Sequence, residues 1–203
     1  MEEQGGAGAG EPWRLFVAVE LSEEARGALA EAQAACRRCA LPVRWVDPQG
    51  AHLTVKFLGA VEPERVAALT DALATIVTGH RPFLLWTGPT GAFPSPRRPR
   101  VLWLGVTGPT DCLDDLQQDV EFALHGLGFP LEGRPFRPHL TLGRVRDGAA
   151  PDAAGLTRAL EEARHLAPAP LPVRDLRLMR SELGRGGPRY TTLAVAHLDD
   201  NGH

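Results

Sequence analysis

Two short segments bring together residue types capable of proton chemistry: His52-Leu53-Thr54-Val55 and His139-Leu140-Thr141-Leu142. Imidazole titrates near neutral pH, so of two facing histidines one can take a proton while its protonated partner gives one. A threonine two positions on supplies a hydroxyl suited to a non-bridging phosphate oxygen, where charge builds during displacement at phosphorus. The set suits acid and base catalysis without a metal. A zinc site is the competing chemistry, but no carboxylate or cysteine is spaced to complete three or four ligands. With seven histidines in the chain, roughly 0.4 His-x-Thr triplets are expected by chance, so the setting of the two copies carries more weight than their number.

In each copy the x positions are apolar and a glycine comes shortly after, as in a strand with one buried face. Side chains alternate along a strand, so His52, Thr54 and Lys56 are expected on one face and Leu53, Val55 and Phe57 on the other. His139 and Thr141 project together in the same way, opposite Leu140 and Leu142.

The elements that must position these strands recur in two halves. Strands are predicted at 14–19, 43–46, 51–58 and 83–86, with helices at 22–40, where Ser22 is a cap, and at 62–78. A Pro/Gly/Arg-rich stretch, 88–100, is the expected hinge. Beyond it come strands at 101–106 and 137–145, helices at 111–127 and 152–165, and two closing strands at 173–181 and 190–197 around Gly184-Arg185-Gly186-Gly187-Pro188. This pattern predicts an α+β fold, bilobal, with two pseudo-symmetric halves whose mainly antiparallel sheets face a central cleft and whose helices lie outside. The expected layout is a flexible leader (1–12), one domain (13–198) in halves of about 13–88 and 101–198 with strands free to cross over, and a tail (199–203).

A net charge of −3 rules against a protein that tracks many phosphates, so any RNA contact is local. No apolar run reaches the roughly 20 residues needed to span a bilayer, and Met1–Gly10 is unlike a signal peptide, which predicts a cytoplasmic protein without membrane contact. Cys36, Cys39 and Cys112 indicate no disulfide framework, and the Cys36-x-x-Cys39 pair, lacking a second pair at ligand spacing, is read as helical. The remaining histidines, His80, His125, His165, His197 and His203, lack a neighbouring threonine and are read as surface or loop residues. Arg97, Arg98 and Arg100 form a small basic cluster. A monomer without cofactor, metal or obligate protein partner is expected.

The paired motifs, together with Arg14-Leu15-Phe16-Val17-Ala18-Val19, the segment His52 to Gly59 and Ser181-Glu182-Leu183, resemble the two-histidine phosphoesterase superfamily, and within it the RNA 2',3'-cyclic phosphodiesterases of the LigT or ThpR type. The resemblance covers about 14–198. It implies a bilobal fold with a central active site and metal-independent hydrolysis of RNA or nucleotide 2',3'-cyclic phosphates to 2'-phosphates. It further implies His139 as the base that activates water, His52 as the acid that protonates the leaving 3'-oxygen, and Thr54 and Thr141 as phosphate-binding hydroxyls. Arg144 matches an arginine near the phosphate, and Tyr190 a cleft-side aromatic or hydroxyl group. Phe16 is a candidate to line the cleft and stack a base. Two other readings stand beside hydrolysis: 2'-5' RNA ligation in the same cleft, disfavoured because water is present at about 55 M, and a module that binds RNA ends without turnover.

Overall fold

The computed structural model describes residues 11–149, 151–184 and 187–199, so most of the expected leader, the middle of the glycine-rich turn and most of the tail lie outside the described residues. The elements are β1 (Trp13–Glu20), α1 (Glu23–Arg37), β2 (Val43–Trp45), β3 (His52–Val61), α2 (Val66–Val77), β4 (Phe83–Phe93), β5 (Val101–Thr107), α3 (Thr110–Gly126), β6 (His139–Val145), α4 (Ala153–Arg164), β7 (Pro170–Val173), β8 (Asp175–Gly184) and β9 (Gly187–His197). Helix starts obey local chemistry. The Ser22 hydroxyl accepts from Ala25 N at 3.1 Å, and the Asp152 carboxylate accepts from Gly155 N at 2.8 Å. No helix of the described residues is long and apolar enough to cross a membrane.

The strands form one antiparallel sheet in the order β7-β4-β5-β6-β3-β1-β8-β9, with β2 added to β6. This order is symmetric about the step from β6 to β3, the two strands that carry the His-x-Thr motifs. They are neighbours joined at one residue pair, Leu53 opposite Leu140. The α+β, antiparallel architecture is thus as anticipated, with the two halves continuous in a single sheet.

The halves of the sheet are not the halves of the chain. β4 pairs with β5 and β7, while β8 returns to pair with β1. The helices cross as well: α1 packs beside α4 on β4, β6 and β7, and α3 packs beside α2 on β3. Leu53 and Leu140, both fully buried, join helix residues such as Leu29 and Leu116 in one core. Burying each leucine contributes about 1.5–3 kcal/mol. A one-residue slip would exchange these leucines for imidazole and hydroxyl groups, so the register that presents the histidines is the one that fills the core.

Several expectations about elements need correction. β7 (Pro170–Val173) is a strand on β4 that the sequence pattern does not predict, ahead of the strand at Asp175–Gly184. β3 continues through Gly59 to Val61, with Gly59 at φ 76°, opposite Leu15 at an irregular step in the pairing. The stretch read as a hinge from residue 88 belongs to β4 as far as Phe93. Its proline and glycines look like a loop, but Pro89 falls where pairing with β5 is interrupted, between Thr87 and Thr90. Gly91 is required because the Trp103 indole lies across it, where a Cβ would stand. Finally, Cys39 lies beyond the end of α1; only Cys36 is helical.

Candidate active site

Both motif strands carry an extra residue just after the threonine. Along β3, Ala18 pairs with Thr54 and Val17 with Lys56, leaving Val55 unpaired; along β6, Trp103 pairs with Thr141 and Leu102 with Gly143, leaving Leu142 unpaired. Such bulges interrupt alternation and re-aim the side chains beyond them. Val55 and Lys56 are therefore consecutive buried residues, and Phe57 returns to the histidine side, 67% exposed. This corrects the expectation from simple alternation, which put Lys56 with the histidines and Phe57 in the core. In β6, Leu142 and Gly143 are buried and Arg144 emerges, so a residue three positions past Thr141 shares its face.

With Leu53 opposite Leu140, the antiparallel register sets His52 and His139 on one diagonal of a four-residue square and Thr54 and Thr141 on the other. Diagonal neighbours in such a ladder stand about 7–8 Å apart, which leaves room for one phosphate between two imidazoles. The rings are oriented alike. His52 Nδ1 donates to Gly50 O at 3.0 Å and His139 Nδ1 donates to Arg137 O at 2.7 Å. A carbonyl can only accept, so Nδ1 carries hydrogen in both rings and Nε2 is left as acceptor in the neutral form or donor in the charged form. Neither Thr54 nor Thr141 spends its hydroxyl on a hydrogen bond among the described residues, and both are half-buried.

The electrostatic surroundings of the two rings differ. Burial lowers the pKa of His52 from its ordinary value, opposed by the bond to Gly50. Burial likewise lowers that of His139, where the Arg144 cation acts in the same direction. Tyr190 is raised by burial, against the opposing charges of Arg144 and Arg14. Arg144 is therefore close enough to His139 and Tyr190, and Arg14 to Tyr190, for these charges to act on them.

Aromatic rings complete the floor. Phe16 lies 4.6 Å from the His52 ring, and Tyr190 meets His52 edge-on at 4.9 Å and Phe16 at 5.6 Å. Phe16 is 3% exposed, so its ring supports the imidazole and has little surface left to stack a base. On the other side Phe93 meets His139 edge-on at 4.9 Å and rests on Trp103 at 5.1 Å. Sequence reasoning missed Phe93, Trp103 and the exposed Phe57. The duplication itself was the available signal: if Phe16 backs one histidine, the second half owes its histidine a ring.

Other candidates lie elsewhere. Cys36 is buried, its Sγ donating to Ala159 O, and burial pushes its pKa up to about 11, as for an inert core thiol. His80 pairs with Asp119 at 2.8 Å, and His125 bonds Phe129 O. Arg97, Arg98 and Arg100 are exposed in the loop between β4 and β5. Among the described residues no group of three or more His, Cys, Asp or Glu is disposed to hold a metal ion.

Comparison with known proteins points in one direction. The profile of the 2'-5' RNA ligase superfamily matches residues 22–185. The chain is 33% identical over 185 residues to the RNA 2',3'-cyclic phosphodiesterase of Methanothermobacter thermautotrophicus, covering 91% of this chain and 98% of that protein. It is 38% identical over 193 residues to that of Thermus thermophilus, covering 89% and 87% respectively. Among solved structures, a protein of Thermus thermophilus superposes with a TM-score of 0.75 at 31% identity, over 94% of this chain and 100% of that one. LigT of E. coli complexed with 3'-AMP superposes with a TM-score of 0.72 at 29% identity, over 93% and 99%.

Proposed function

The chain belongs to the 2'-5' RNA ligase superfamily, and from that premise we propose that it is an RNA 2',3'-cyclic phosphodiesterase, opening cyclic phosphates on cytoplasmic RNA ends or nucleotides to 2'-phosphomonoesters without a cofactor. The observation that carries this reading is the matched pair of imidazoles on adjacent central strands. Each is anchored through Nδ1 to a carbonyl two residues upstream, with Nε2 free beside an uncommitted threonine hydroxyl. The relatives named as RNA 2',3'-cyclic phosphodiesterases support the substrate class.

In the proposed reaction, His139 Nε2 takes a proton from water as its oxygen bonds phosphorus, and the bond from phosphorus to the 3'-oxygen breaks. His52 Nε2 gives its proton to that oxygen, leaving a 2'-phosphate. Thr54 and Thr141 donate to the non-bridging oxygens. Arg144 adds its cation to the phosphate and holds down the pKa of His139, which keeps the base neutral. Tyr190 and Phe16 hold the His52 ring in place.

The test is to incubate the protein with a short RNA ending in a 2',3'-cyclic phosphate, chelator present, and identify the terminus. A 2'-phosphate is the expected product. A 3'-phosphate would reverse the leaving group, and binding without turnover would leave only an RNA-end binding module.

A further inference from the structure

We propose that Arg44 forms a second anion subsite, holding the phosphodiester one nucleotide upstream of the cyclic phosphate end. The proposal rests on the hydrolase reading above and makes it specific for polynucleotide ends over single nucleotides.

β2 lies along β6 just past the point where β3 meets it, pairing Val43 with Val145, Arg44 with Arg144 and Trp45 with Gly143. Residues directly opposite in an antiparallel ladder project from the same face, with Cβ atoms about 4.5–5.5 Å apart. Arg44 therefore leaves the sheet beside Arg144, on the histidine face. Both arginines are exposed, and neither has an ion pair among the described residues. Like charges directly opposite each other destabilise a sheet, so this pair is retained at a cost to the free protein. The position is also held rigidly: Gln33 Nε2, reaching up from α1, donates to Val46 O at 2.8 Å and Leu142 O at 2.9 Å, tying the end of β2 to the β6 bulge.

Distance separates the two arginines by task. Arg144 acts on His139 and Tyr190. Arg44 stands on the strand that follows β3 along the same side of β6, where β6 has advanced about 10 Å from Thr141, a separation one nucleotide can span with help from a flexible guanidinium arm. A guanidinium suits the two non-bridging oxygens of a phosphodiester.

The test compares wild type, Arg44→Ala and Arg44→Lys on a nucleoside 2',3'-cyclic phosphate and on a dinucleotide ending in the same cyclic phosphate. In Arg44→Ala the ratio of kcat/KM for the dinucleotide over the nucleoside is expected to fall about tenfold, mainly through KM. The slope of log kcat/KM against log salt should become shallower by about 0.7 for the dinucleotide alone. Arg44→Lys should recover part of the ratio. A third substrate, the nucleoside cyclic phosphate with a 5'-phosphate, distinguishes a chain phosphodiester from any phosphate there: a tenfold loss on it too assigns the subsite to the phosphate group itself. An unchanged dinucleotide ratio overturns the proposal. If wild type turns over none of these substrates, the hydrolase reading fails instead. Calorimetric titration of a dinucleotide 2'-phosphate then decides the subsite alone, with equal affinity for wild type and Arg44→Ala overturning it.

Discussion

On the β3 side of the motif pair the His52 ring lies against Phe16 and meets the edge of Tyr190; on the β6 side the His139 ring meets the edge of Phe93 and feels the Arg144 cation. The backbone plan beneath is the same twice over: a His-x-Thr strand, a bulge after the threonine, and a carbonyl two residues upstream that takes the Nδ1 hydrogen. At the position five residues past each histidine, one side presents Phe57 and the other Arg144. The helices brace the two bulges differently. On the His52 side α3 contributes Glu121, which accepts from Lys56 Nζ at 2.5 Å and from Gln117 and Glu132 N, while Lys56 also donates to Pro130 O. On the His139 side α1 contributes the neutral Gln33 amide. A duplicated frame thus supplies two equivalent imidazoles, and the furnishings make them unequal. In the proposed reaction the Arg144 cation would favour neutral His139 as base, whereas His52, whose pKa is lowered by burial and by no cation among the described residues, would gain its proton when an anionic phosphate arrives.

The sharpest way to break this comparison is to separate acid from base. His52→Ala and His139→Ala should each lower kcat by about 10²–10⁴-fold on the cyclic phosphate. On a phosphodiester with a nitrophenolate leaving group, which needs no proton to depart, His52→Ala should recover most of its loss and His139→Ala none. Equal recovery would mean that the two sides are interchangeable.

The two braces differ next. Lys56→Met leaves Glu121 charged and without its cation in the core, and a loss of about 3–5 kcal/mol in unfolding free energy is expected by denaturant titration. Gln33→Leu leaves carbonyls without their amide donor and should cost about 1–3 kcal/mol. If the two variants proved equally stable, the ion pair would hold its side no more firmly than the amide holds the other.

The smallest effect concerns pH. Because burial lowers both imidazoles, with Arg144 lowering His139 further, the bell-shaped kcat/KM profile should be centred below the ordinary imidazole value of about 6.5. Arg144→Ala removes one lowering influence, so the pKa of His139 rises and the acidic limb moves to higher pH, while the basic limb, carried by His52, stays. Movement of the basic limb instead would exchange the roles of the histidines.

Much of this could be read along the chain. The motif strands, the helix cap at Ser22, and the leucines that face the core all derive from neighbouring residues. Phe93 was hidden because Pro89 and the glycines around it carry the composition of a loop, and only the partner strand with Trp103 explains them. Phe57 was assigned to the core and Lys56 to the cleft because alternation assumes an unbroken ladder, and a bulge exists only relative to the strand beside it.

Residue type, local period and capping are properties of a contiguous stretch, so the order of amino acids alone was enough to pick out His52, Thr54, His139 and Thr141 and to turn each pair to one face of a strand. Adjacency of β3 and β6, the exchange of α1 and α3 between halves, the aim of Arg144 and the pairing of Arg44 with it depend on contacts between residues far apart in the chain. No local pattern encodes them, because they are chosen by which packing buries the leucines and satisfies the buried polar groups at once.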